Sequence, residues 1–392
     1  MGVEKDFSFG KLHSEAFSCI QCGYCRRVCP VYRALGWEST SPRNKVYQLQ
    51  NLLSTYPPLA NLPEEFSQRF WQCTNCRRCT QVCPTHLDLM NLWQGVKHHL
   101  GKKGYEPASL RSTRERVKRN KNIFSLANEN RSFWAMPLQG YPKVLKPENP
   151  DIAVFVGCVA SFYPLVSGIP LALANVFLKA GVKAYFLGAD EHCCGNPLTT
   201  AGDLATAEIL AENNISKVRE LGVDKLVFIC PSCQSTWLEE YPRYNKGQLP
   251  FRLLHYTEYL ADLVDQGGLD LKPYPRRVSY HDSCDLGRHL GIYEAPRRIL
   301  RAIPELEFVE LANHHQDSLC CGAGGNLYMV DQKLANKISQ PRLDQIEESG
   351  IDTLVTACAE CRQVFTLGLQ DRKSPVRVLD IAELVAELIR EG

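Results

Sequence analysis

From position 151 onward, short apolar runs alternate with longer helix-forming stretches. Runs rich in β-branched and aromatic residues at 152–156, 184–187, 225–229 and 251–254 read as buried strands. Segments such as 204–221 read as the helices between them. That alternation predicts parallel sheets covered by helices. The pattern then repeats. Cys158 falls on Cys284, Cys193 on Cys320, Cys233 on Cys361 and Glu258 on Glu383, at offsets of 125 to 128 residues. So steady an offset predicts two copies of one α/β module, 151–270 and 271–392, related by a pseudo-twofold axis with a shared cleft. Residues 152–178 carry no charge and are numerous enough to cross a bilayer. However, Pro164 and Pro170 interrupt the stretch, and its counterpart carries Arg297, Arg298 and Arg301. It reads as strand, turn and helix, and no transmembrane segment is expected. The apolar part at 165–178 is expected to be buried, with docking on a membrane partner as the alternative.

The first 100 residues differ. They hold eight cysteines in two tight groups and read as a helical domain. Residues 101–150 contain no cysteine and are basic, with Arg111, Arg114, Arg116, Lys118, Arg119 and Lys121 followed by four prolines. This segment reads as a solvated helical linker. The expected class is therefore α+β overall: a helical ferredoxin-like domain, a linker and two α/β modules.

Charge adds little, since a formal +2 over 392 residues gives no reason to expect a nucleic-acid partner. Cysteine changes the picture, because there are 18. The N-terminal stretch is charged and carries no signal-peptide core, and Asp6 breaks the lipidation motif that Met1-Gly2 begins. A cytoplasmic location is expected, peripheral to a membrane at most through a partner. Reduced, clustered thiols then point to metal rather than disulfides.

The two N-terminal groups are Cys19-x-x-Cys22-x-x-Cys25-x-x-x-Cys29-Pro30 and Cys73-x-x-Cys76-x-x-Cys79-x-x-x-Cys83-Pro84. Each is the bacterial ferredoxin run, whose fourth cysteine ligates the other cluster. Two cubane [4Fe–4S] clusters are expected, one on Cys19, Cys22, Cys25 and Cys83, the other on Cys73, Cys76, Cys79 and Cys29. Zinc is the competing occupant, although zinc motifs supply cysteines in pairs. Arg43, Lys45 and Trp71 are expected to pack around the clusters.

Each module carries five cysteines in one order. The first has Cys158, then Cys193-Cys194-Gly195, then Cys230-Pro-Ser-Cys233; the second has Cys284, then Cys320-Cys321-Gly322, then Cys358-Ala-Glu-Cys361. These positions follow strands, and ligands of open α/β sheets gather beyond the carboxyl ends of strands. Five converging thiols exceed what zinc needs. Gly322-Ala-Gly-Gly-Asn326 lacks the spacing of a dinucleotide loop, so neither a nicotinamide nor a flavin site is expected. Among nearby histidines (His192, His281, His289, His314, His315), only His281, together with Arg288, is a candidate proton donor or substrate clamp.

These motifs resemble the CCG domains of the heterodisulfide reductase family. The combination with two ferredoxin runs is most similar to its HdrD branch. The iron–sulfur subunits of glycolate oxidase and anaerobic glycerol-3-phosphate dehydrogenase share the layout. The telling segments are Gly157-Cys158-Val-Ala-Ser-Phe-Tyr-Pro164, Cys193-Cys194-Gly195-Asn-Pro197, His281-Asp-Ser-Cys284-Asp-Leu-Gly-Arg288 and Cys320-Cys321-Gly-Ala-Gly-Gly-Asn326. The resemblance implies a noncubane [4Fe–4S] cluster in each module, one on Cys158, Cys193, Cys194, Cys230 and Cys233, the other on Cys284, Cys320, Cys321, Cys358 and Cys361. It also implies that the chain is part of an oxidoreductase that reduces a disulfide or oxidises thiols. The alternative is an electron relay between a flavoprotein dehydrogenase or electron-transfer flavoprotein and quinone or a membrane cytochrome b.

Overall fold

The computed structural model describes residues 7–55, 63–245 and 247–390. Met1, Gly2 and Asp6, on which the lipidation motif turns, lie outside them.

The first module is a parallel sheet of β1 (Ile152–Phe155), β2 (Ala184–Phe186), β3 (Lys225–Phe228) and β4 (Arg252–His255), in the order β2-β1-β3-β4. The second contains β5 (Arg277–His281), β6 (Glu307–Phe308), β7 (Thr353–Thr356) and β8 (Arg377–Asp380), in the equivalent order β6-β5-β7-β8. Every residue of β1 and β7 is buried, as a central strand covered on both faces requires. Register is equivalent too: Val154 lies opposite Val227, and Tyr280 opposite Val355. The aligned closing segments carry the same device. His255 with Glu258 and Asp380 with Glu383 each form a capping box, in which two otherwise orphaned N–H groups are satisfied.

The modules join through an exchange of helices. Helix Gly168–Lys179 of the first packs on Ile381–Leu388 of the second, and Glu294–Arg301 of the second packs on Tyr256–Asp265 of the first. The apolar stretch at 165–178 is thus covered from within: Ile169, Leu173, Val176 and Phe177 share one core with Ile381, Leu384 and Val385. Tyr256 donates to the buried Asp380 carboxylate at 2.6 Å across this interface. No helix among the described residues is long and apolar enough to cross a membrane.

The N-terminal region is helical. Helix Leu89–Lys102 buries Leu92, Trp93, Val96 and Leu100, spaced as one helix face, against helices that flank the cysteine loops. Asp88 caps it by accepting from the N–H groups of Met90 and Asn91.

The basic segment is structured more tightly than a solvated linker. Helix Ala108–Asn120 buries Leu110 and Val117 and exposes Arg111 and Lys118. Beyond it, Trp134, Ala135, Leu138 and Leu145 enter the same core as β1, with Trp134 lying 5.3 Å from Phe186. Residues 128–145 are thus folded onto the first module.

Candidate metal centres and the cleft between the modules

All 18 cysteines are free thiols. The two ferredoxin runs approach each other through their fourth cysteines. Burial lifts the Cys25 thiol to about 12, and the neighbouring charges that add to this are Cys19, Cys22, Cys29 and Cys83. Cys29 is raised to about 11 by burial, with Lys45 opposing and Cys76 and Cys73 adding. Cys83 therefore lies close to the first loop and Cys29 close to the second.

In the first module the thiols form a chain of sulfur contacts: Cys158 to Cys193, Cys193 to Cys194, Cys194 to Cys233, and Cys233 to Cys230. In the second, Cys320 meets Cys321, Cys321 lies 3.3 Å from Cys361, and Cys361 meets Cys358. Cys284 sits within electrostatic reach of Cys320 and Cys321. Donation from Cys193 and Cys233 pulls the Cys194 thiol below its ordinary range, and Cys320 and Cys361 do the same for Cys321. Backbone N–H groups of Gly195 and Gly322 point at Cys193 and Cys320 at 3.5 and 3.3 Å, and partly oppose the rise that donation to the following cysteine and burial impose on both thiols.

The spacing of the sulfurs bears on the occupant. Tetrahedral zinc, with Zn–S near ~2.3 Å, draws its sulfurs to within about 3.8 Å of one another. Among the described residues no three thiols have all their sulfurs within 4.8 Å; the one triad of donors that close is Glu310, His314 and His315. Glu310 already spends both oxygens on Arg297, at 2.6 and 2.9 Å. The described thiols thus meet in pairs, such as Cys321 and Cys361 at 3.3 Å, rather than in a closed four-sulfur zinc cage, and five gathered thiols exceed the four that zinc takes. Glycine makes room at the same places: a Cβ on Gly157 would lie 3.2 Å from the Cys233 sulfur, and one on Gly322 2.2 Å from the Ala335 carbonyl oxygen.

The sites are wired together unequally. The Cys76 and Cys320 thiols are within hydrogen-bond reach of each other, so the second ferredoxin loop touches the second module. The glycine loop after Cys321 explains the closeness: a Cβ on Gly325 would lie 2.3 Å from the Cys73 carbonyl oxygen, and one on Gly324 2.6 Å from that of Thr74. Its glycines serve backbone approach to the ferredoxin loop. Across the modules, Cys230 lies within electrostatic reach of Cys358. Although Cys361 donates to Cys358, burial together with Glu360 and Cys230 leaves the Cys358 thiol raised.

Between the modules opens a cavity of about 420 Å³, lined by Val159, Ser232, Asp285 and Glu360, each adjacent in the chain to a module cysteine, and by Phe124, Met329 and Arg116. Ser232 and Glu360 occupy the same place in the two Cys-x-x-Cys motifs. Ser232 donates to Asp285 across the cleft.

The two candidate catalytic side chains lie elsewhere. His281 ends β5 fully buried, its ring 4.6 Å from Phe365, and burial holds the imidazole far below its usual pKa. Arg288 is buried between the domains; its Nε donates to the Cys76 carbonyl at 2.6 Å and its Nη1 to the carbonyls of Gln316 and Ser318. Neither lines the cavity. The His289 ring nitrogen Nε2 meets the same loop, 2.9 Å from the Asn75 carbonyl oxygen. Lys45 reaches the Gln72 carbonyl at 3.1 Å, and Trp71 donates to the Tyr105 carbonyl at 2.9 Å. Arg43 is paired with Glu38 at 2.7 Å.

Sequence reasoning passed over two groups. Buried Arg131, from the expected linker, pairs with buried Glu191 at 2.7 Å and points at the Cys158 sulfur at 3.5 Å. Lys97 is buried 5.6 Å from the Trp71 ring; burial lowers its ammonium to about 8 while Cys73 pushes back. No motif marks Arg131. Lys97 carried a faint signal as a lysine on the apolar face of its helix.

Comparison with known proteins agrees with this layout. The 4Fe-4S dicluster domain family matches residues 15–87, and the cysteine-rich CCG domain family matches 152–237 and 278–366. The HdrD polypeptide of the dihydromethanophenazine:CoB--CoM heterodisulfide reductase of Methanosarcina barkeri is 31% identical, over 96% of this chain and 94% of that protein. The EtfAB:quinone oxidoreductase of Syntrophomonas wolfei is 28% identical over 98% of this chain but 60% of its own length. The probable iron-sulfur-binding oxidoreductase FadF of Bacillus subtilis is 28% identical over 99% of this chain and 62% of its own length. With its dicluster domain and paired cysteine-rich modules, the chain belongs to the HdrD family of iron–sulfur electron-transfer proteins, named for heterodisulfide reductase.

Proposed function

We propose that the chain reduces a small disulfide, or oxidises the corresponding thiols, in the cleft between its two modules. The observation that carries this reading is one cavity lined by the chain neighbours of both five-thiol sites, Val159 and Ser232 from the first and Asp285 and Glu360 from the second, with the second site touching the second ferredoxin loop. Reduction of a disulfide consumes two electrons and two protons and breaks one S–S bond into two thiols. Iron–sulfur clusters supply one-electron transfer and iron that binds sulfur: two cubanes on the crossed ferredoxin sets, and a noncubane cluster on each set of five. Around them the chain's residues do defined work. The backbone of the glycine loop closes the gap between Cys73 and Cys320. Arg288 clamps the Cys76 carbonyl to the second module, fixing the separation over which an electron passes. Val159, Phe124 and Met329 give the substrate an apolar wall, and Ser232 with Asp285 ties the two halves of the floor together. In this reading Arg288 positions cofactors, and His281 is structural.

The test is reduction of a neutral disulfide by the anaerobic protein with a viologen donor, comparing Cys194→Ala and Cys321→Ala. Loss of turnover in both variants supports two sites acting on one substrate; turnover surviving either loss refutes it.

The second reading is an electron relay between a flavoprotein dehydrogenase or electron-transfer flavoprotein and quinone or a membrane cytochrome b. It is favoured by the similarity to an EtfAB:quinone oxidoreductase. On either reading the chain works with other redox subunits at the cytoplasmic side. Reduction of a quinone analogue, with none of any disulfide, would select the relay.

A further inference from the structure

Buried cations in this protein divide into two kinds. Arg131 and Arg297 face carboxylates, Glu191 for the first and Asp282 with Glu310 for the second. Lys45, Lys97 and Arg288 are 3%, 2% and 7% exposed and have no carboxylate within ion-pair distance among the described residues. Lys45 reaches only the Gln72 carbonyl, Lys97 lies against the Trp71 ring, and Arg288 is held by three carbonyls with its Nη2 unpartnered. A buried charge without a counter-charge is costly. All three converge on one place. Lys45 acts on Cys29, Lys97 on Cys73 and Arg288 on Cys76, and these are cysteines of the second crossed set. Arg342 differs: it has no carboxylate within ion-pair distance among the described residues, but Asp282 is its strongest opposing charge, with Cys361 of the second module weaker.

The first set has no such surroundings. Cys22 is exposed, and the nearby guanidinium groups of Arg26 and Arg43 are partly exposed and share Glu38. Their charge is largely spent on that carboxylate and on water.

A four-thiolate iron–sulfur cluster is anionic and gains one negative charge on reduction, so nearby fixed positive charge favours the reduced form and raises the potential. Water around Cys22 also favours reduction of the first cluster. Charges fixed in a low-dielectric interior act more strongly than mobile, screening solvent. We propose that Lys45, Lys97 and Arg288 make the second cubane the higher-potential member of the pair. An electron that enters at the exposed first set then comes to rest beside Cys76, against the second module. This rests on the iron–sulfur assignment above, but not on which substrate is reduced.

The experiment is an EPR-monitored redox titration of the anaerobically purified full chain, with dithionite and mediators. Wild-type protein should show two cubane steps. Lys97→Met and Lys45→Gln should each move the upper step downward by about tenfold in the reduction equilibrium, or 59 mV for a one-electron couple, and leave the lower step in place. Lys97→Arg, which keeps the charge, should leave both steps near their wild-type positions. Arg43→Met, which removes a cation already paired with Glu38 beside the first set, should leave the upper step in place. A Lys97→Met variant that keeps its iron but shifts the lower step, or shifts neither, overturns the proposal. If that variant loses iron, Lys45→Gln decides by the same reading. Absence of disulfide turnover alongside the expected shifts would refute the proposed substrate chemistry and leave the ordering of the cubanes standing.

Discussion

Replacement of Glu191 by glutamine probes how the basic segment is tied to the first module. The Glu191 carboxylate, fully buried, accepts from three donors: Arg131 Nη1 at 2.7 Å, the Val156 N–H at 2.7 Å and the Gly157 N–H at 2.8 Å. Glutamine is nearly isosteric but turns one acceptor into a donor. Either Val156 or Arg131 with Gly157 then faces an N–H group, and Arg131 is left without its counter-charge. Breaking a buried pair in this way costs about 3–5 kcal/mol. For a unit of 150–250 residues that corresponds to a fall in Tm of roughly 6–20 °C. Because Gly157 precedes Cys158 and Arg131 points at the Cys158 sulfur, the loss should fall on the first module's iron before the second's. The assay is calorimetry of the anaerobic protein with iron analysis, extended to a double-mutant cycle. Arg131→Met in the Glu191→Gln background removes the stranded cation and replaces it with an apolar side chain, so the double variant should be more stable than Glu191→Gln alone. A Tm shift below about 2 °C for Glu191→Gln, or a double variant less stable than the single, would refute the reasoning.

Other substitutions have equally defined outcomes. Gly322→Ala should cost the second module its iron while sparing the first, because the residue has a φ of +92° and its Cβ would lie 2.2 Å from the Ala335 carbonyl oxygen; metal analysis beside Gly101→Ala, whose Cβ meets nothing within 4 Å, checks it. Asp380 predicts a pH dependence. Burial, with Glu383 adding, raises its carboxyl from 3.8 to about 7 in the folded protein. The folded state therefore holds a proton that the unfolded chain releases, and the associated stability is present below about pH 4 and lost as pH rises toward 7. The slope reaches at most about 1.4 kcal/mol per pH unit. Asp380→Asn should flatten the stability profile across that window in denaturant titrations, and an unchanged slope would contradict the assignment.

What was legible in the sequence follows from how locally each feature is encoded. The doubled module could be read because Cys158 and Cys284, and Glu258 and Glu383, keep one offset, and a sheet with its capping box is specified within some hundred residues. The approach of Cys29 and Cys83 to each other's loops follows from the ferredoxin spacing alone. Arg131 was not readable, because its partner Glu191 is 60 residues away and a basic stretch looks the same whether it is solvated or carries one buried arginine. His281 and Arg288 drew notice by standing near Cys284 in the chain. However, strand β5 turns His281 into the core, and the turn after Cys284 sends Arg288 toward Cys76 instead of the cleft. Glu360 was overlooked inside its own Cys-x-x-Cys motif, since only the docking of the two modules shows that this position faces a cavity.

The account depends on thiolates gathered around iron. Anaerobically purified protein should be brown, with iron and acid-labile sulfide in near-equal amounts and zinc at trace level. A folded, colourless preparation with zinc in place of iron, or with the module cysteines joined as disulfides, would contradict it.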